Sequence, residues 1–384
     1  MTIYLIVFLA STVILYIGTR QKNSILTWVS IFVALFLVCL LAALRDDKVG
    51  TDVLVYAKVL FVRARAAYSW TAYYARNRHF EVGYLALNYV ISRMTDKFSI
   101  LHFVIEFIIC INLVISFLEI GKRDYLWFGM TIYYLLYYNQ SYNLIRQTVS
   151  CSFVFLAFSF LQNQKYKRTI IFLTIAICFH TSSIIAFLGI IIYFLSKKFA
   201  IEATYAICFI SLVYYLVGNK IIYSIVNSIS TLQKYSPYFS EEYTYDIPIT
   251  IFGYLIFVFI ESIVVYNNSK RRQANACLAN YGEKYHWNVF LMNINFVSVI
   301  MLPFLSGVVY LWRLSLSINF LSMYTLIDVP EKVININIGG KYQKKISQGI
   351  VFSFLMLFWI VYYVILNNNK TIPYAMSFKN ISKR

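Results

Sequence analysis

Apolar stretches of membrane-spanning length recur along this chain from one end to the other, and that recurrence decides what it can become. They fall at 2–18, 25–44, 98–120, 125–138, 144–161, 169–196, 201–217, 247–266, 287–306, 307–327 and 349–366, with a weaker one at 80–94. A span takes roughly 20 mostly apolar residues. The expectation is an all-α polytopic membrane protein with about 10–12 transmembrane helices. The breaks are short, so residues 1–384 read as a single transmembrane domain with no separate soluble part. Composition agrees, at 60% hydrophobic and 13% charged, which is too apolar for a soluble chain of this size. The first run has no basic leader and no small-residue cleavage site, so it reads as a first span and not a removable signal.

Charge supplies orientation. Lys and Arg outnumber Asp and Glu by 34 to 16, a net +18, which asks for anionic partners, either lipid head groups or an anionic substrate. Arg20/Lys22, Lys122/Arg123, Lys165/Lys167/Arg168, Lys197/Lys198, Lys270/Arg271/Arg272 and Lys341/Lys344/Lys345 cluster in short loops, which the positive-inside rule places in the cytoplasm. Between Arg20 and Lys122 only two crossings fit. The segment 80–94 is therefore expected to be an amphipathic helix on the outer surface, within an external segment 45–97. The run 169–196 has basic clusters at both ends and reads as a broken helical hairpin turning near His180-Thr181-Ser182-Ser183. Arms of about 12 to 14 residues reach only ~18–21 Å, so the turn sits inside the outer leaflet, where irregular backbone must be buried or line a wet cavity. A second external segment is expected at 218–246.

Polar residues within such runs are costly and mark candidate sites. Asn143, Arg146, Gln147 and Ser150 follow i, i+3, i+4, i+7, which places an arginine, two amides and a hydroxyl on one helix face. Arg313, with Ser317 one turn deeper, offers a second guanidinium. Snorkelling to head groups is the alternative for both arginines, but it leaves the amides beside Arg146 unexplained. Two guanidiniums facing one cavity suit a pyrophosphate, because the planar fork makes bidentate contacts to phosphate oxygens. His180, at the helix break, is a candidate acid, base or donor. Arg45, Asp46, Asp47 and Asp52 crowd the start of the external segment. His102 and Glu106, at i and i+4, read as structural, and Tyr133, Tyr134, Tyr137 and Tyr138 as an aromatic belt at a membrane surface. Cys39, Cys110, Cys151, Cys178 and Cys208 lie in apolar runs without ligand spacing. No metal cage or nucleotide-binding motif occurs, so no metal, no cofactor and no nucleic acid partner is expected.

Several of these residues carry a resemblance. Arg45 to Asp52 with Tyr56, Glu81-Val82-Gly83-Tyr84, Tyr142-Asn143-Leu144-Ile145-Arg146-Gln147, Phe179-His180-Thr181-Ser182-Ser183, Arg313 and Ile372-Pro373-Tyr374 resemble, in order, the EpsG-like family of bacterial membrane proteins. That family is grouped with Wzy-type polymerases of exopolysaccharide, capsule and O-antigen. The family's aspartate-tyrosine run reads here Thr51-Asp52-Val53-Leu54-Val55-Tyr56. The resemblance implies a multi-pass inner-membrane protein acting on undecaprenyl-pyrophosphate-linked oligosaccharide at the outer face, among membrane lipids and other polysaccharide-assembly proteins. It implies a glycosyltransferase-type polymerase with Arg146, Asp52 and His180 catalytic. Arg45, Asp46, Asp47, Tyr56, Glu81, Asn143, Gln147 and Arg313 would contact substrate. Asp52 and His180 compete as the acceptor's base, with His180 favoured because its ordinary pKa lies nearer neutrality. A lipid-linked oligosaccharide flippase, a sugar-modifying membrane acyltransferase and an assembly subunit remain rival readings.

Overall fold

In the computed structural model the described residues are 1–199, 249–275, 280–306, 312–332 and 340–377, with isolated positions 206, 224, 227 and 228. The run 201–217 and the segment 218–246 lie almost wholly outside them. Among the described residues the chain is helical, with no strand beyond one isolated antiparallel bridge between Arg45 and Met376. Among the described residues five helices are long and apolar enough to cross a membrane: Ser24–Leu44, Phe98–Glu119, Thr181–Phe199, Ile249–Lys270 and Lys344–Ile365. The protein is thus an all-α, multi-pass membrane protein. The described chain divides into two compact units, Met1–Ile184 with Phe352–Arg384, and Ile185–Val351.

The first unit opens with α1 (Thr2–Gly18) and α2 (Ser24–Leu44), joined by a short turn. Asn23 caps α2, its Oδ1 accepting from the Ile25 and Leu26 amides at 2.8 and 3.4 Å. Three shorter helices follow: α3 (Lys58–Ala66), α4 (Trp70–Asn77) and α5 (Val82–Met94). The long α6 (Phe98–Glu119), α7 (Leu126–Leu136), the single turn α8 (Tyr138–Ser141), α9 (Ile145–Gln162) and α10 (Tyr166–Phe179) complete it. Apolar faces alone do not hold helices together in lipid, so polar side chains bridge them. Ser11 donates to the Ala34 carbonyl at 3.0 Å and meets Tyr134 at 2.8 Å; Asn112 reaches Ser152 at 3.0 Å.

The helix expected as a span at 125–138 is shorter than expected, and its tyrosines do not form a surface belt. Tyr133, Tyr134, Tyr137 and Tyr138 are all buried. Tyr133 donates to Glu106 at 2.6 Å, and Tyr138 to the Val38 carbonyl at 2.5 Å. The phenols find partners inside the unit, so an apolar ring with a polar tip serves the core as well as a head-group boundary. Glu106 is further held by Ser141 at 3.0 Å.

The chain's end is knitted into the same unit. After the helix Gly340–Trp359 and the π-helical turn Ile360–Ile365, residues 367–377 run beside the exit of α2. The Asp46 amide donates to the Ala375 carbonyl at 2.8 Å, that of Ser377 to Leu44 at 3.0 Å, and that of Gly50 to Lys370 at 3.3 Å. Tyr4 donates to the Thr371 carbonyl at 3.0 Å and Tyr374 to that of Leu41 at 2.7 Å.

In the second unit, the helix Asn280–Ser306 carries buried amides that pair with hydroxyls on α11 (Ala186–Phe199), on the helix Ile249–Asn275 and on a further helix. Asn293 donates to Ser196 at 2.9 Å, Asn295 to Thr325 at 2.7 Å and Asn288 to Ser269 at 2.9 Å. The described part of the run 307–327 is not one continuous span. It breaks at Phe320-Leu321 into the helices Trp312–Asn319 and Ser322–Lys332, and tight turns carry the chain across. Asn319 turns back to donate to Ser315 at 3.2 Å, and Tyr254 meets Ser322, so hydroxyls and amides take up the irregular stretch.

Gly83 lets α5 approach α10 closely, since a Cβ there would lie 2.7 Å from the Cys178 carbonyl oxygen. Gly83→Ala is expected to cost about 1–3 kcal/mol, seen as a lowered thermal midpoint in detergent. Gly349→Ala, whose Cβ would meet nothing within 4 Å, should leave that midpoint nearly unchanged.

Candidate functional site

The stripe on α9 is built as its spacing requires, and its four members reach several other segments of the first unit. Asn143, just ahead of the helix, accepts from the Thr51 amide at 2.6 Å and donates to the Asn369 carbonyl at 2.5 Å. Arg146 forms an ion pair with Glu81, the N-cap of α5. Gln147 donates to Ser182 at 3.3 Å. Ser150 donates to the Ala176 carbonyl and meets Ser183, both at 2.5 Å. One helix face thus joins the loop after α2, α5, the break after α10 and the C-terminal strap.

Arg146 is the centre of charge. Its guanidinium lies over the rings of Tyr56 and Phe80, at 4.8 and 4.9 Å from their centroids. Each such contact is worth ~0.5–2 kcal/mol. Its side chain is 21% exposed and that of Glu81 is 12%, so the pair is partly desolvated, and losing either partner would leave an uncompensated charge. The Nε of Arg146 is buried with no hydrogen-bond partner.

Asp52 joins this group through Tyr56. The residues from Val53 to Ala57 form a π-helical turn, and across it the Tyr56 hydroxyl donates to Asp52 Oδ2 at 2.7 Å. Three residues lie between the two in sequence, and the turn brings their side chains together. Burial and the neighbouring Asp52 carboxylate push the Tyr56 phenol well above its ordinary pKa, so it stays a donor. Gly50 makes the approach of this loop possible. It has φ +92°, and a Cβ there would lie 2.7 Å from the Tyr142 carbonyl and 3.0 Å from Asn143 Oδ1.

α10 ends at Phe179 and His180 is extended, after which a 3₁₀ turn covers Thr181–Ile185. The break falls where the sequence places it. His180 Nδ1 accepts from the Ser182 amide at 3.2 Å and lies 2.6 Å from the Ser182 hydroxyl, which in turn accepts from Gln147. Glu81 closes the ring, its second oxygen accepting from the Thr181 amide at 3.4 Å. Asp52, Tyr56, Phe80, Glu81, Arg146, Gln147, His180 and Ser182 are therefore linked by direct contacts.

The other candidates are placed differently. Arg45 is buried, its Nε donating to His102 Nδ1 at 3.2 Å and its guanidinium 3.9 Å from the centre of the Tyr142 ring. Asp46 accepts from the Lys48 amide at 3.0 Å, and Asp47 pairs with Lys58, so both carboxylates shape the loop itself. Arg313 is half-buried on the helix Trp312–Asn319 of the second unit. Sequence reasoning assigned no contact to Thr51, Phe80 or Asn369. None shows in a residue pattern, because a backbone group or an aromatic face supplies each contact. Among the described residues no group of three His, Cys, Asp or Glu is placed to hold a metal.

Fold and site together define a multi-pass helical membrane protein with a polar, arginine-centred cluster where helices end and break. The EpsG family profile matches residues 27–376, nearly the whole chain, and the chain belongs to that family. Membership points to a polysaccharide polymerase type of function. No curated protein and no solved structure matches the chain.

Asn143→Asp keeps an acceptor for the Thr51 amide but turns an oxygen towards the Asn369 carbonyl. It is expected to cost about 1–3 kcal/mol, the range for a buried polar group left unmatched, read as a fall in the thermal midpoint in detergent.

Proposed function

We propose that this protein polymerises undecaprenyl-pyrophosphate-linked oligosaccharide repeat units at the outer face of the bacterial inner membrane. The growing glycan moves from its carrier to a hydroxyl of the acceptor unit. The hydroxyl oxygen bonds to the anomeric carbon, the bond from that carbon to the pyrophosphate oxygen breaks, and undecaprenyl pyrophosphate leaves. One proton passes from the hydroxyl to a base. The observation that carries this reading is the ring of contacts around Arg146, which sets a guanidinium, a carboxylate and an imidazole within one network.

Arg146 neutralises the charge that grows on the departing pyrophosphate. The hydrogen bonds of His180 support a role other than that of base. Because Nδ1 accepts the Ser182 amide proton, the neutral ring carries its proton on Nε2 and serves as a donor towards phosphate. The base is then Asp52, a carboxylate in the role it takes in sugar chemistry elsewhere, oriented by Tyr56. Glu81 and Gln147 hold Arg146 and Ser182, and Asn143 sets the spacing between the Asp52 loop and Arg146. Neither metal nor cofactor is required, since pyrophosphate is already a fair leaving group.

The arrangement also favours an external position for residues 45–97. Thirteen residues of α5 make about 20 Å at 1.5 Å per residue, short of the ~30 Å hydrocarbon core. Val82, Val90 and Met94 are exposed while Tyr84, Leu85, Asn88 and Ile91 are buried, as for a helix lying along a surface. Cysteines introduced at Thr71 and Thr95 should both react with an impermeant thiol reagent in intact cells; protection of Thr95 alone would overturn this placement.

Deleting the gene should leave lipid-linked single repeats without long chains at the cell surface, whereas loss of external repeats altogether would indicate transport instead. At equal protein level, Arg146→Lys should lose most chain extension, because a point ammonium cannot reproduce the fork. Asp52→Asn should lower turnover by roughly a hundredfold or more, the range for a lost general base, and His180→Ala by less. Normal chain length in Asp52→Asn with a dead His180→Ala would reverse the two roles.

A further inference from the structure

The position of Glu81 conflicts with pyrophosphate binding at Arg146. A carboxylate beside the guanidinium repels an anionic ligand, yet Glu81 holds Arg146 directly. Its other oxygen accepts from the Thr181 amide at 3.4 Å, and Gly83 seats the start of α5 tightly against Cys178. The carboxylate is thus anchored independently of Arg146 and does not depend on the arginine for its position. Arg146 for its part keeps a second hold, between the Tyr56 and Phe80 rings at 4.8 and 4.9 Å. Its Nε donor is buried with no partner, so the pair with Glu81 does not exhaust its hydrogen bonding.

We infer that Glu81 is a resident counter-ion which competes with pyrophosphate for Arg146, yielding the guanidinium when the carrier's pyrophosphate charge develops and reclaiming it when the carrier leaves. This rests on the proposed polymerase reading and adds to it a residue that sets how tightly the product is held. Between turnovers the carboxylate prevents an unpaired, partly buried cation, which would otherwise be costly. During release it supplies an anion already in place, so the product does not have to leave a bare charge behind. A residue that merely positions Arg146 would act in the opposite sense, because its loss would let the arginine wander and weaken anion binding.

The test measures binding of inorganic pyrophosphate to the purified full-length protein in detergent at low ionic strength. Glu81→Gln keeps the shape and removes the charge, and it should bind pyrophosphate about tenfold or more tightly than the unaltered protein. Glu81→Asp, which withdraws the carboxylate by one methylene, should shift affinity the same way by a smaller factor and carries the test if the glutamine variant does not fold. In turnover, Glu81→Gln should show stronger product inhibition. Unchanged or weakened pyrophosphate binding in both variants overturns the inference and leaves Glu81 as a positioning residue. Arg146→Ala distinguishes the two levels of the argument. If it abolishes binding, the anion site stands whatever Glu81 does; if it changes nothing, or if no variant binds, the pyrophosphate reading of Arg146 fails and this inference with it.

Discussion

A guanidinium placed on a helix that lies among apolar runs must have its charge answered locally, and the ion pair of Arg146 with Glu81 is that answer. Much of the first unit follows from it. Glu81 has to stand at the start of α5, so α5 must come close to α9 and α10, and Gly83 removes the side chain that would prevent it. Tyr56 and Phe80 cover the cation with aromatic faces, which brings the loop after α2 over the same point. Truncating either partner of such a pair leaves the other charge partly desolvated, at a cost of about 3–5 kcal/mol where burial is complete and less at the partial exposure seen here.

Irregular backbone is the second constraint. α10 stops at Phe179, the loop after α2 runs from Arg45 to Asp52, and the strap follows Ile365. Such segments expose amides and carbonyls that an apolar environment cannot satisfy. The side chains of Asn143, Ser150, His180 and Tyr4 supply missing partners. Asp52 and His180 lie on or beside these irregular segments, while Arg146 and Gln147 reach them from the first turn of α9. The same polar inventory that stabilises the breaks therefore also lines the site.

The sequence made the helical class, the break at His180 and the α9 stripe legible, since each is written in periodicity: apolar runs of span length, and polar residues at i, i+3, i+4 and i+7. The motifs Glu81-Val82-Gly83-Tyr84 and Phe179-His180-Thr181-Ser182-Ser183 could be noticed, but their meeting at Arg146 could not, because it depends on how three helix ends converge. The tyrosines of α7 and α8 were misleading for a physical reason: a phenol suits a head-group boundary and a buried carboxylate equally well, and composition does not say which is nearer. Arg45 was similarly ambiguous. Its neighbours in sequence are charged, but its partners in space are His102 and the face of Tyr142, both distant along the chain. Asp52 and Tyr56 are not adjacent in the sequence, and that their side chains meet depends on the π-helical turn between them.

The central claim is that chain lengthening and release of the carrier's pyrophosphate are one event at this site. Purified protein in vesicles, supplied with a lipid-linked repeat unit of defined length, allows both to be followed together. The account predicts a ladder of lengthened lipid-linked products with one undecaprenyl pyrophosphate released for every new glycosidic linkage. Movement of unlengthened units across the bilayer, or carrier release without lengthening, would contradict it.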